Sequence, residues 1–96
     1  MLDTLRIIKQ RYDEVSDLII QPDIITDQKR YILLNKEYKE LGQVVKKTNE
    51  YEILLGNISE AKEIIANETD AEMIEMAKME MEEANVRIPI LEDEIK

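Results

Sequence analysis

The chain has 96 residues, enough for one domain at most, and a domain of that size buries only about 60–65% of the surface its unfolded form exposes, which excludes a deep cavity. Lys and Arg number 13 against 22 Asp and Glu, a formal charge of −9 that argues against direct binding to nucleic acid or to anionic membranes. Cysteine and histidine are both absent, which excludes disulfides, thiol chemistry and histidine-based metal or proton-transfer sites, and no cofactor is expected.

No apolar run approaches the ~20 residues needed to cross a bilayer. The opening MLDTLRIIKQ carries charge too early for a signal peptide and lacks a small-residue cleavage site, so the cytoplasm is the default location. With 2 Gly and 2 Pro in a background of Ala, Leu, Ile, Met, Glu and Lys, the composition favours helix throughout. A sandwich or barrel would need more aromatic and β-branched alternation than 4 Tyr, no Phe and no Trp allow.

A first helix is predicted over about residues 3–20. Asp3 is placed to cap it, and Leu2, Leu5, Ile8, Tyr12, Val15 and Ile19 form one stripe at spacings of three and four. Pro22 ends that segment, because Gln21 before it is biased away from helical geometry. Thr26 and Asp27 are candidate caps for a long second helix over about 27–66. Its seven-residue repeat runs through Tyr31, Leu34, Tyr38, Leu41, Val45 and Thr48, and less cleanly through Tyr51, Leu55, Ile58, Lys62 and Ile65. Gly42 and Gly56 each weaken it by about 1 kcal/mol relative to Ala, and the helix is expected to survive both. Residues 67–70 form a polar turn in which Thr69 and Glu72 fit a capping box. A third helix over 70–96 has the most regular heptad: Ile74, Ala77, Met81, Ala84, Ile88, Leu91 and Ile95. Pro89 inside it predicts a bend or break there.

These lengths, roughly 27, 60 and 40 Å at 1.5 Å per residue, predict an all-α, elongated antiparallel hairpin or three-helix arrangement with coiled-coil-like packing. The outer helices would lie against opposite halves of the central one and meet near Gly42, where a glycine lets backbones approach closely.

Each candidate constellation has a plain reading. Glu72, Glu75, Glu80, Glu82, Glu83, Glu92, Asp93 and Glu94 sit mostly off the apolar stripe, as a solvated face rather than a catalytic pair with separated pKa values. Tyr12, Tyr31 and Tyr38 read as core or core-edge residues. Met73, Met76, Met79 and Met81 spread around their helix, with Met76 and Met79 the most exposed. Lys29-Arg30 and Lys46-Lys47 are ordinary solvent contacts. The doublets Ile7-Ile8, Ile19-Ile20 and Ile24-Ile25 and the run Ile32-Leu33-Leu34 widen the stripe. They imply either a third packing layer or a docking patch at Ile24, Ile25, Ile32 and Leu33 for another domain or a second copy of the chain.

An ordered set of motifs spans nearly the whole sequence: Leu2-Asp3 with Leu5, Arg11-Tyr12, Gln21-Pro22-Asp23-Ile24-Ile25-Thr26-Asp27, Lys29-Arg30-Tyr31, Asn35-Lys36-Glu37-Tyr38, and Glu68-Thr69-Asp70 followed by Met76-Ala77. The set resembles the N-terminal domain of bacterial class I peptide chain release factors. It is closer to the branch reading UAA and UAG than to the UGA-reading paralogue, which tends to carry Phe-Trp where Ile24-Ile25 stand. The family often has proline where Gln28 and Ala71 occur, a helpful but dispensable helix-start residue.

The resemblance implies translation termination, with peptidyl-tRNA hydrolysis performed by later domains. Those domains hold the family's Gly-Gly-Gln loop and codon-reading tripeptide. Leu41-Gly42-Gln43 has one glycine too few and is predicted helical, so no catalytic residue is assigned. For this part the resemblance implies contact with the ribosome near the stalk base, interplay with a recycling GTPase and positioning of the other domains. The stop at Lys96 within a heptad suggests a piece of a longer protein. A free-standing coiled-coil adaptor is the competing reading, separated from the first by the downstream coding sequence.

Overall fold

The computed structural model describes residues 2–96, with side chains from Asp3 onward; Leu2 as a stripe residue lies outside the described side chains. Four helices follow one another: α1 Leu2–Leu18, α2 Pro22–Ile25, α3 Gln28–Asn67 and α4 Ala71–Ile95. No strand occurs among the described residues, and the fold is all-α. Contacts divide the chain into two compact units, Met1–Lys46 and Lys47–Lys96, and α3 contributes to both.

In the first unit α1 doubles back along α3. Arg11 and Tyr12, on α1, meet Glu37 and Tyr38 on α3. Both pairs stand a similar distance from the connection, which a short link permits only for antiparallel helices. Leu5 and Val15 on α1 and Ile24 on α2 are the buried core, at 1%, 0% and 1% exposure. Asp3 is not a cap: it lies inside the first turn of α1, and its Oδ1 accepts from Arg6 Nη2 at 2.8 Å.

The second unit pairs α3 with α4. Lys47 meets Glu94, Tyr51 meets Glu92, and Ile64 lies beside Met73 and Ala77, so position falls on α4 as it rises on α3, the antiparallel signature. The predicted heptad of α4 faces inward throughout: Ala77, Ala84, Leu91 and Ile95 are buried, and Ile74, Met81 and Ile88 half-buried. Alanine at two successive repeats leaves room for close helix approach. On α3 the inward residues are Tyr51, Leu54, Ile58, Ala61 and Ile65. The repeat read through Leu55 and Lys62 is therefore off by one at those positions, which face outward.

α3 is continuous through both glycines. A Cβ at Gly42 would meet the Tyr12 ring at 3.5 Å, an ordinary contact, so Gly42 faces an aromatic ring and not another backbone. At Gly56 a Cβ would meet nothing within 4 Å. α4 is likewise unbroken across Pro89. Pro89 is exposed, so the Asn85 carbonyl that loses its amide partner lies on a helix face open to water. The cap of α4 is Asp70, whose Oδ1 accepts from Glu72 N at 2.9 Å, while Glu68 Oε1 accepts from Thr69 N and Asp70 N. The cap expected at Thr69 is shifted by one residue, because a short carboxylate at the position before the first helical residue reaches the free amides best.

Candidate docking surface

Between the stop at Pro22 and the candidate caps Thr26 and Asp27, the chain forms the one-turn helix α2. Proline at its first position has no amide to leave unsatisfied, and Gln21 O accepts from both Ile24 N and Ile25 N at 3.1 and 3.0 Å. Thr26 closes this helix rather than opening the next, with Oγ1 donating to Pro22 O at 3.0 Å. Asp27 serves α3, accepting from Arg30 N at 3.3 Å through its carboxylate.

This local geometry sorts the four proposed patch residues. Ile24 turns inward and is 1% exposed, so it is core and not part of a surface patch. One residue on, Ile25 is 53% exposed, and Ile32 and Leu33 on the first turns of α3 are 62% and 68% exposed. Every doublet splits the same way. Ile8, Ile19 and Leu34 are half-buried, whereas Ile7 and Ile20 are exposed. Lys29 and Arg30 lie exposed beside them.

Polar links tie each helix pair together. The Arg11 guanidinium donates to both oxygens of Glu37, at 2.5 and 3.0 Å, and reaches Glu14 at 3.3 Å. The Glu37 carboxyl is held below its ordinary value by those hydrogen bonds, and the guanidinium is raised in turn. Tyr12 and Tyr38 stack with ring centroids 5.1 Å apart, and the Tyr12 hydroxyl donates to that of Tyr38 at 3.3 Å, which raises the Tyr12 pKa. In the second unit Arg87 donates to both oxygens of Glu50, at 2.9 and 3.3 Å, holding that carboxyl down. The Tyr51 hydroxyl donates to Glu92 at 3.2 Å and is raised, chiefly by burial.

No group of three or more Asp or Glu among the described residues could hold a metal ion. Leu41-Gly42-Gln43 lies within α3, and Gln43 is exposed. No described helix is long and apolar enough to cross a membrane. The sequence reading missed one feature. Ile64 of α3 lines two shallow concavities, one with Met73, Met76, Ala77 and Glu80 of α4, the other with Glu60, Glu63, Asn67 and Glu68. The i,i+3 spacing of Met73 and Met76 puts them on one face of α4, and pairing with α3 sets Ile64 opposite them and makes that face a groove wall.

Comparison with known proteins decides the family: the PCRF domain matches residues 8–96. The chain belongs to the PCRF domain family. Over all 96 residues this PCRF domain is 65% identical to peptide chain release factor 1 of Flavobacterium psychrophilum, and 62% identical to that of Flavobacterium johnsoniae. It is 41% identical, again over 96 residues, to peptide chain release factor 1 of Clostridioides difficile. It spans 27% of the length of each of these relatives. No solved structure matches this chain.

Proposed function

We propose that the chain is the N-terminal helical part of a cytoplasmic translation termination factor of the release factor 1 type. The whole protein would direct peptidyl-tRNA hydrolysis at UAA and UAG. This part breaks no bond; it contacts the ribosome near the stalk base and positions the domains that read the codon and release the peptide. The observation that carries the reading is 65% identity to a peptide chain release factor 1 across all 96 residues. The exposed Ile25, Ile32 and Leu33 are its docking patch for another domain of the same factor.

The test is peptide release by the complete protein on ribosomes halted at each stop codon. Release is expected at UAA and UAG and not at UGA, with none from the 96-residue chain alone. Ile32→Gln with Leu33→Gln should lower release without altering helix content. A coding sequence ending close behind Lys96, or release by the chain alone, would overturn the reading; self-association abolished by the double substitution would assign the patch to a second copy.

A further inference from the structure

We propose that the groove between the C-terminal part of α3 and the N-terminal part of α4 is a binding site for a cationic amphipathic helix of a partner protein. The inference stands on surface chemistry alone and does not rest on the role in termination. The floor of the groove is Ile64 and Ala77, and its rims include Met73 and Met76, 44% and 65% exposed. Methionine is unbranched and polarizable, so it adapts to varied apolar anchors, and an open groove between paired helices suits a third helix laid along it.

Charge selects the occupant. Glu60, Glu63, Glu68 and Glu80 line the two concavities that meet at Ile64, with no basic residue among the lining groups. Residues 60–83 hold nine carboxylates against Lys62 and Lys78, so seven of the chain's nine net negative charges lie there. Elsewhere several carboxylates are answered by a basic group: Glu37 by Arg11, Glu94 by Lys47 and Glu50 by Arg87. Among the described residues Glu60, Glu63 and Glu80 carry no ion pair. An acidic rim around an apolar floor repels nucleic acid, anionic lipid and a second copy of the same groove, and attracts a helix with apolar anchors flanked by Lys or Arg.

The probe is a labelled synthetic Leu/Lys peptide with leucines at helical spacing, compared with an isomer of identical composition and scrambled pattern. Fluorescence anisotropy with the 96-residue chain should show tighter binding of the patterned peptide. Met73→Gln/Met76→Gln should weaken it about tenfold, since losing one buried side chain's worth of apolar contact is about a factor of ten in Kd. Glu63→Gln/Glu80→Gln should weaken it and flatten its salt dependence, while Ile32→Gln/Leu33→Gln should leave it unchanged. All these side chains are on the surface, and circular dichroism checks that each variant stays helical. Equal binding of the scrambled isomer, or indifference to the methionine changes, would reduce the effect to charge adsorption and overturn the proposal. So would loss of binding on the Ile32/Leu33 change, or a self-association that Met73→Gln/Met76→Gln abolishes.

Discussion

Thr48 is fully buried, at 0% exposure, and its Oγ1 meets no hydrogen-bonding group of the protein. A hydroxyl removed from water without a partner costs roughly 1–3 kcal/mol, and valine has the same branching without that cost. Thr48→Val should raise stability by about 1 kcal/mol in urea denaturation with an unchanged slope. Glu37 and Glu50 work in the opposite sense. Each gains hydrogen bonds from an arginine in the folded state, so its folded pKa lies below the unfolded value of 4.5. Their contribution is therefore complete above pH 4.5 and is lost as the pH falls below it through the folded values. Glu37→Gln/Glu50→Gln should be less stable than the parent at pH 7 and lose less stability on acidification. The effect should be small and salt-sensitive, because both pairs are roughly two-fifths exposed.

At the scale of the helices, the α3–α4 junction tests which residue caps. Asp70→Ala should cost about 1 kcal/mol, and Thr69→Ala much less, in thermal unfolding. Gly56→Ala, with open space around the added methyl, should gain about 1 kcal/mol by helix propensity. What the sequence made legible follows from the same physics. The α4 heptad was readable because a single partner helix sets a single inward face, and every residue from Ile74 to Ile95 in that repeat obeys it. Leu55 and Lys62 misled because the repeat was carried from the N-terminal half of α3 into a segment whose inward face is set by α4. The helix at Pro22–Ile25 was hidden because four residues are too short for any periodicity, and the turn chemistry of Gln21-Pro22 reads equally as a stop. The exposed apolar side chains were half legible: of two adjacent apolar residues one tends to point outward, and only the backbone shows that Ile24 is not the one.

For the molecule as a whole, acidity sets the balance between cohesion and repulsion. With a net −9 and the excess gathered in residues 60–83, screening should relieve more repulsion than it weakens attraction. Raising sodium chloride from about 10 to about 150 mM, a Debye length falling from roughly 30 to 8 Å, should therefore increase Tm; a decrease would mean that the arginine and lysine pairs outweigh the repulsion. The family was legible from an ordered set of short motifs spread over nearly the whole sequence, and the PCRF domain match over residues 8–96 agrees with it. The stacked tyrosines have a practical corollary. Without Trp or Phe, the near-ultraviolet spectrum belongs to four phenols alone. Tyr12 and Tyr38, stacked nearly parallel with ring centroids 5.1 Å apart, form an interacting chromophore pair that exists only while α1 is closed on α3. Tyr51, bonded to Glu92, senses instead the closure of α4. Replacing Tyr51 by Phe, or Tyr12 and Tyr38 together, would isolate each signal and let an unmodified spectrometer follow the melting of either half without any attached dye.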